Sequence, residues 1–225
     1  MKAVGLIPAY NEESTIKKVI SEIKKTGLTP VVVDDGSTDR TYEIVKNMNV
    51  QVIRHEKNRG KGAALKTGFE YILKKISDVK FVVIIDADMQ YSPKEYIKLL
   101  KPLDNGEADF VMGFRQWKNV PYANRIGNFI WRVLFNLFFD TNLKDTNCGF
   151  IALTKKAIKK IGRVHGGYII ENSMLIHVVR KKIRIKQVPV NVKYGRRRVS
   201  NLARMFFGIL TFILIEGFKY RLSKI

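Results

Sequence analysis

Two hydrophobic patterns alternate through the first half of the chain. Short apolar runs without helical spacing read as strands at Ala3–Ile7, Pro30–Asp34, Val50–Arg54, Phe81–Ile85 and Ala108–Met112. Between them lie helical patterns over Glu12–Lys25, Thr38–Met48, Gly60–Ile76 and Pro93–Leu103; the first lines up Ile16, Val19, Ile20 and Ile23 on one face. Strand and helix in strict alternation predict an α/β fold with a largely parallel central sheet and helices on both faces. No repeat or linker interrupts the pattern, so residues 1–225 read as one domain.

The second half changes character. Asn128–Phe139 is apolar except for Asn128, Arg132 and Asn136, and Met205–Ile215 carries no charge. Both are too apolar for ordinary surface helices and shorter than the roughly 18–20 residues a membrane span requires. They are expected to be helices, over about 117–140 and 199–222, lying in a membrane interface or at the acceptor site, with Trp131, Arg204 and Lys219 at headgroup level. Buried core helices or a homodimer contact are the alternatives. Charge bears on the choice. The chain has 41 Lys and Arg against 20 Asp and Glu, a net charge of +21, which favours an anionic partner: nucleic acid, a phosphorylated ligand or an anionic membrane. From Asn172 to Ile215 there is no acid and there are ten basic residues, placed directly before the second apolar stretch. The single Cys148 excludes an intrachain disulfide. Met1–Ile7 meets Pro8 at once and does not read as a signal peptide, so a cytoplasmic, peripheral location without a spanning helix is expected.

Candidate chemistry collects where strands end. After the first strand, Pro8-Ala9-Tyr10-Asn11-Glu12-Glu13 stops the strand with Pro8 and offers the Tyr10 ring to a base; Asn11 can cap the following helix. After the second, Asp34-Asp35-Gly36-Ser37-Thr38-Asp39 places Gly36 in a tight turn, with Thr38 or Asp39 as cap and an Asp suited to ribose hydroxyls or base N–H groups. After the third, Asn58-Arg59-Gly60-Lys61-Gly62 is a glycine-rich helix start suited to an anion. After the fourth, Asp86-Ala87-Asp88-Met89-Gln90 holds two carboxylates one residue apart. They repel unless a cation neutralises them, and hard oxygens suit Mg²⁺ or Mn²⁺ completed by a diphosphate. Parallel strands bring all four loops to one sheet edge.

These pieces, "IPAYNEE", "VVVDDGSTDRT", "NRGKGAAL" and "IIDADMQYSP" in that order, resemble an inverting family 2 glycosyltransferase of the GT-A fold. "DFVMGFR", "NRIGN", "DTNCGF" and "VPVNVKYGRRRVSNL" resemble the subgroup that makes dolichyl- or polyprenyl-phosphate sugars, the dolichol-phosphate mannose synthase type, with Cys148 in place of the commoner serine. The resemblance implies a nucleotide-sugar pocket lined by Pro8, Ala9, Tyr10, Asn11, Glu12, Asp34, Asp35, Lys61, Asp86, Ala87 and Asp88. It implies a divalent metal, Mg²⁺ or Mn²⁺, on Asp86, Asp88 and Gln90. Arg115, Arg125, Arg196 and Arg198 become candidates for holding the acceptor phosphate or the leaving diphosphate, with an ion pair to a nearby acid as the other reading of Arg115 and Arg125.

The expected reaction moves a hexose, of mannose or glucose type, from a GDP- or UDP-linked donor to dolichyl or polyprenyl phosphate. A lipid monophosphate is already ionised near neutral pH, its second pKa being roughly 6, so cations to position it matter more than a base. Asp145 and Glu171 remain possible bases, acceptor contacts or structural groups. The enzyme alternative is a family 2 transferase acting on a saccharide or lipid-linked glycan hydroxyl. The non-enzyme alternative, a basic nucleic-acid-binding protein, is disfavoured because the basic residues adjoin an apolar helix and no nucleic-acid motif is present.

Overall fold

The computed structural model describes residues 2–92, 95–116, 122–162, 169–192 and 202–224. In chain order the elements are β1 (Ala3–Ala9), α1 (Ile16–Lys25), β2 (Thr29–Asp34), α2 (Thr41–Asn47), β3 (Gln51–Arg54), α3 (Lys61–Lys75), β4 (Phe81–Ile84) and α4 (Tyr96–Asp104). There follow β5 (Phe110–Arg115), α5 (Tyr122–Phe139), β6 (Ile151–Thr154), α6 (Lys155–Ile161), α7 (Ile170–Arg180), β7 (Ile185–Val190) and α8 (Leu202–Leu222). The strands form one seven-stranded sheet in the order β3-β2-β1-β4-β6-β5-β7. The β3-β2-β1-β4 half is parallel in register, so the carboxyl ends of the first four strands share one edge, as expected.

The inner parallel strands β1, β2 and β4 are buried on both faces, which is why β2 and β4 read as unbroken apolar runs. Side chains of β1 alternate between the two helix layers. A Cβ at Gly5 would stand 3.3 Å from Ile23 of α1, whereas the next residue, Leu6, packs so tightly on Gly68 of α3 that a Cβ there would lie 2.3 Å from it.

Three features depart from the sequence reading. β6 runs antiparallel to both β4 and β5, and it was not anticipated: four apolar residues leading straight into a helix carry no period of their own. β7, parallel to β5 at the sheet edge, and helices α6 and α7 are likewise additions. Boundaries also move. β1 continues through Pro8, because its pairing with β2 extends to Ala9 whereas pairing with β4 ends at Leu6. α1 starts at Ile16 rather than Glu12, and Asn11, at φ +54°, is not its cap.

The two apolar stretches become α5 and α8, which lie side by side. Trp131 Nε1 donates to Phe206 O at 3.3 Å, Phe138 meets the edge of Phe218 with centroids 5.0 Å apart, and Phe139 packs on Tyr220. The helices touch most closely at Gly217, where a Cβ would lie 2.4 Å from the Phe138 ring. Trp131, Phe135, Phe139, Ile209 and Ile213 face the core, so the core reading holds for one side of each helix. The other side is open. Ile126, Phe129, Val133 and Leu137 on α5 and Phe207, Ile215, Phe218 and Leu222 on α8 recur at helical spacing and are 43–71% exposed. Among the described residues no helix is long and apolar enough to cross a membrane. Residues 117–121 and 199–201 of the expected interface segments lie outside the described residues.

Candidate active site

The first two loops are laced together before any ligand is considered. Asn11 N donates to Ser37 Oγ at 3.0 Å and Asn11 Oδ1 accepts from Thr38 N at 2.9 Å. Glu12 N donates to Thr41 Oγ1 at 2.8 Å, and Asp39 accepts from both Glu13 N and Thr41 N. The left-handed backbone at Asn11 turns its amide toward the second loop. Asn11, Thr38 and Asp39 therefore bond between loops or within their own, and Arg40, not Thr38 or Asp39, is the residue preceding α2. Gly36 is at φ +71°, and a Cβ there would lie 2.5 Å from the Lys57 carbonyl carbon, so the third loop requires glycine at this turn.

Asp34 and Asp35 are both buried, with different partners. Asp34 lies 3.2 Å from Arg54 Nε; burial raises its pKa while Ser37 and Arg54 pull the other way. The exposed member of that pair is Arg54, which also covers the Tyr42 ring at 4.4 Å, so this strand end presents a guanidinium rather than the expected bare carboxylate. Asp35 Oδ1 meets His55 Nδ1 at 2.6 Å and accepts from Arg59 N at 3.0 Å; Oδ2 accepts from Gly60 N at 2.7 Å. Two amides of the glycine-rich helix start that was expected to suit an external anion, Arg59 and Gly60, are thus bonded to Asp35. It positions the third loop.

That loop delivers Lys61 to the metal-type junction. Lys61 Nζ lies 2.7 Å from Asp86 Oδ1 and 3.2 Å from Glu171 Oε1 on the first turn of α7. Burial pulls the Lys61 pKa down, but Asp86 and Glu171 outweigh it and hold the ammonium well above its usual value. Gly149 closes over this cluster: a Cβ there would lie 2.8 Å from Asp86 Oδ2, 3.2 Å from Glu171 and 3.3 Å from Lys61. The close approach of Gly149 to this cluster and the pairing of Glu171 with Lys61, 110 positions away, were not readable from spacing.

Asp88 has its pKa raised by burial and by the neighbouring Asp86 charge. Gln90 N donates to Asp88 Oδ1 at 3.0 Å, so Gln90 supports the carboxylate through its backbone. Met89, at φ +61°, makes the turn between them, and Tyr91 anchors its far end by stacking on Phe150, centroids 4.8 Å apart. Among the described residues no three His, Cys, Asp or Glu side chains form a self-sufficient metal cluster. Asp86 and Asp88 do supply hard oxygens with unbalanced negative charge, the donor set of a Mg²⁺ or Mn²⁺ site completed by phosphate oxygens. Of the remaining expected pocket residues, Tyr10 is 41% exposed, while Ala9, Glu12 and Ala87 are buried. Pro8 is partly covered.

The arginine candidates separate. Arg115 forms a two-pronged pair with Asp145, Nε to Oδ2 at 2.7 Å and Nη2 to Oδ1 at 2.9 Å, and reaches Asn128 Oδ1 at 3.2 Å. This is the ion pair given as the other reading of Arg115, and the structural reading of Asp145; together they tie β5 to the loop before β6 and to α5. Arg125 lines a shallow groove on α5 with Ile126, Phe129 and Arg132. Arg196 and Arg198 lie outside the described residues. Cys148 is buried and its pKa is pushed up to about 12 by burial, so it stays a neutral thiol.

Comparisons with known proteins bear on this geometry. Residues 6–162 match the family model described as Glycosyl transferase family 2. The chain is 28% identical to the UDP-N-acetylglucosamine–dolichyl-phosphate N-acetylglucosaminyltransferase of Methanococcus voltae, over 92% of each chain. It is 31% identical to a dolichol-phosphate mannosyltransferase of Pyrococcus furiosus, over 100% of this chain and 64% of that protein. Its fold is similar to that of glucosyl-3-phosphoglycerate synthase from Mycobacterium tuberculosis, crystallised with Mn²⁺, UDP and glucosyl-3-phosphoglycerate. There the TM-score is 0.79 at 23% identity, over 96% of this chain and 80% of that one, and the likeness is one of GT-A architecture.

Proposed function

The chain belongs to glycosyl transferase family 2, and from that premise we propose that it transfers a hexose-type sugar from a nucleotide diphosphate sugar to dolichyl or polyprenyl phosphate. The observation that carries this reading is the Asp86–Lys61–Glu171 cluster with Asp88 at the shared edge of the parallel strands. That edge is where a diphosphate binds in an open α/β sheet. The named relatives support the class of acceptor, since both act in dolichyl-phosphate glycosylation by name, and they differ in the sugar.

Residue roles follow from the geometry. Tyr10 offers its ring to the base, with Arg54 and the buried Asp34 at the ribose end. Asp86 and Asp88 hold the divalent ion, and Gln90 supports Asp88 through its amide. When bound, that ion supplies Lewis-acid stabilisation of the charge that develops on the leaving diphosphate. Lys61, fixed between Asp86 and Glu171, adds a cation at the same place. Arg125, Arg196 and Arg198 are assigned to the acceptor phosphate. Because that phosphate is already ionised, no residue is required to take a proton from it, and displacement from the opposite face inverts the anomeric carbon. The exposed stripes of α5 and α8 are assigned to the cytoplasmic membrane face, where the lipid tail of the acceptor resides.

Incubation with labelled GDP- and UDP-sugars, Mn²⁺ or Mg²⁺ and dolichyl phosphate is expected to yield a glycolipid with one donor. Nucleotide binding without glycolipid from any donor, or turnover with a sugar-hydroxyl acceptor instead, overturns this reading.

A further inference from the structure

The edge of the sheet opposite the four loops carries a second concentration of charge. It lies where β5 and β7 begin, paired at Phe110 and Ile185, and where the antiparallel β6 ends. A depression of about 200 Å³ there is lined by Asp109, Lys156, Ala157, Lys160, Lys182 and Arg184, with Ile183 at its base. Its carboxylate is already used: Arg184 Nε donates to Asp109 Oδ2 at 2.9 Å, and Arg184 Nη1 donates to Gly106 O at 2.6 Å. Lys156 shares the Asp109 charge at longer range, and Lys160 and Lys182 stand around the same concavity with no carboxylate in ion-pair contact among the described residues.

All three lysines are exposed around the rim of the depression. Lys156 and Lys160 are four apart on α6 and share a face. Lys182 stands at φ +48°, immediately past the end of α7, where its amide bonds back to Val179 O at 3.0 Å and that of Ile183 to Val178 O at 2.9 Å. This is the helix-ending turn at which glycine is the usual residue, since it has no Cβ to strain. A lysine there keeps an ammonium at the rim against local conformational preference. Three ammonium groups beside an anchored guanidinium repel one another unless an anion lies between them. The several acceptor oxygens and double charge of a phosphate match that demand better than a carboxylate does.

We propose that this pocket is a phosphate-binding site, separate from the donor and acceptor sites. Its ligand is a phosphate dianion or monoester, either free in solution or as the headgroup of an anionic lipid. The second source is included because Arg180, two residues before Lys182, pairs with Glu216 of α8 at 3.0 Å, and α8 carries an exposed apolar stripe.

Lysine acylation read by mass spectrometry tests this site by site and independently of turnover. The probes are inorganic phosphate and, separately, phosphatidic acid in phosphatidylcholine vesicles, with phosphatidylcholine alone as control. Modification of Lys156, Lys160 and Lys182 is expected to slow several-fold while the exposed Lys17 and Lys18 of α1 react unchanged. Protection by inorganic phosphate identifies a free ligand, and protection by phosphatidic acid alone identifies a headgroup; protection by neither overturns the proposal. Lys182→Gly provides the second check. It is expected to raise Tm, by relieving the left-handed lysine, and to reduce the protection of Lys156 and Lys160; undiminished protection in that variant also overturns the proposal.

Discussion

Asp88 and Arg115 show how differently two charged side chains a short distance along the chain can serve. Asp88 is a half-buried carboxylate beside a second carboxylate, and its pKa is raised by desolvation and by that neighbour's charge. Asp88→Ala should therefore lower kcat by about 10²–10³-fold, the loss typical of one preorganised electrostatic group. Its far-UV spectrum should match that of the parent; near-parental rates would defeat the metal assignment. Arg115 instead neutralises a buried acid. Arg115→Ala should destabilise the fold by about 3–5 kcal/mol, because it leaves Asp145 charged, buried and unpaired. Denaturant unfolding measures this, and a change under 1 kcal/mol would mean that the pair is not structural. The pH dependence of Asp109 has a definite sign. Hydrogen bonding from Arg184 lowers its pKa in the folded state, so its stabilising contribution is complete above the unfolded value of 3.8 and is lost as pH falls through the lower folded value. Asp109→Asn should thus be less stable than the parent at neutral pH, with the gap closing in acid; a gap that widened instead would contradict the assigned cause. Asp34, raised by burial, contributes in the opposite sense: its share of stability is present below 3.8 and declines as pH rises through its folded value.

Helices α5 and α8 illustrate what an apolar pattern does and does not convey. Their composition is legible from sequence, but the partition of each into a core face and an open face follows from their contact along Trp131–Phe206 and Phe138–Phe218. No residue count assigns that contact, since apolar residues occur on both sides of each helix. Replacing Ile215 and Leu222, 50% and 71% exposed, by Asp should reduce co-sedimentation with anionic vesicles while leaving Tm nearly unchanged. Unchanged partitioning would favour a contact between copies of the chain. The short β6 and edge strand β7 escaped notice for a related reason. Four or six residues flanked by helices offer too few periods to distinguish a strand, and their pairing partners, β4 and β5, are remote in sequence.

Across the molecule, the two sheet edges carry different charge clusters. The edge with the four loaded loops holds Asp86 and Glu171 around Lys61, and the opposite edge gathers Lys156, Lys160, Lys182 and Arg184 around Asp109. The overall +21 makes association with anionic surfaces fall with salt, as screening shortens the reach of exposed charges. Ligand linkage reports on the first edge as a whole. A nucleotide diphosphate with Mn²⁺ at 100 times its Kd should add about 2.7 kcal/mol of stability by mass action. A thermal-shift panel of GDP and UDP with each metal should therefore single out one base, and the metal-dependent part of that shift should vanish in Asp88→Ala. Equal shifts without metal would remove the ion from donor binding.

Order along the chain was sufficient for much of this. Alternating apolar runs specify which segments become strands and helices, because burial of one face imposes a period that any reader of the chain can count. The carboxylates at Asp86 and Asp88, Gly36 at its turn and the acid-free basic stretch are likewise local facts. Partnerships are not local. Asp35 claims the Arg59 and Gly60 amides, Arg115 is spent on Asp145, Lys61 is shared between Asp86 and Glu171, and Lys182 joins α6 at a phosphate-type pocket. Each joins groups brought close by crossovers between strands, and the energy of a charge depends on what stands within a few ångströms of it. That distance is a property of the folded sheet, and residue spacing carries no measure of it.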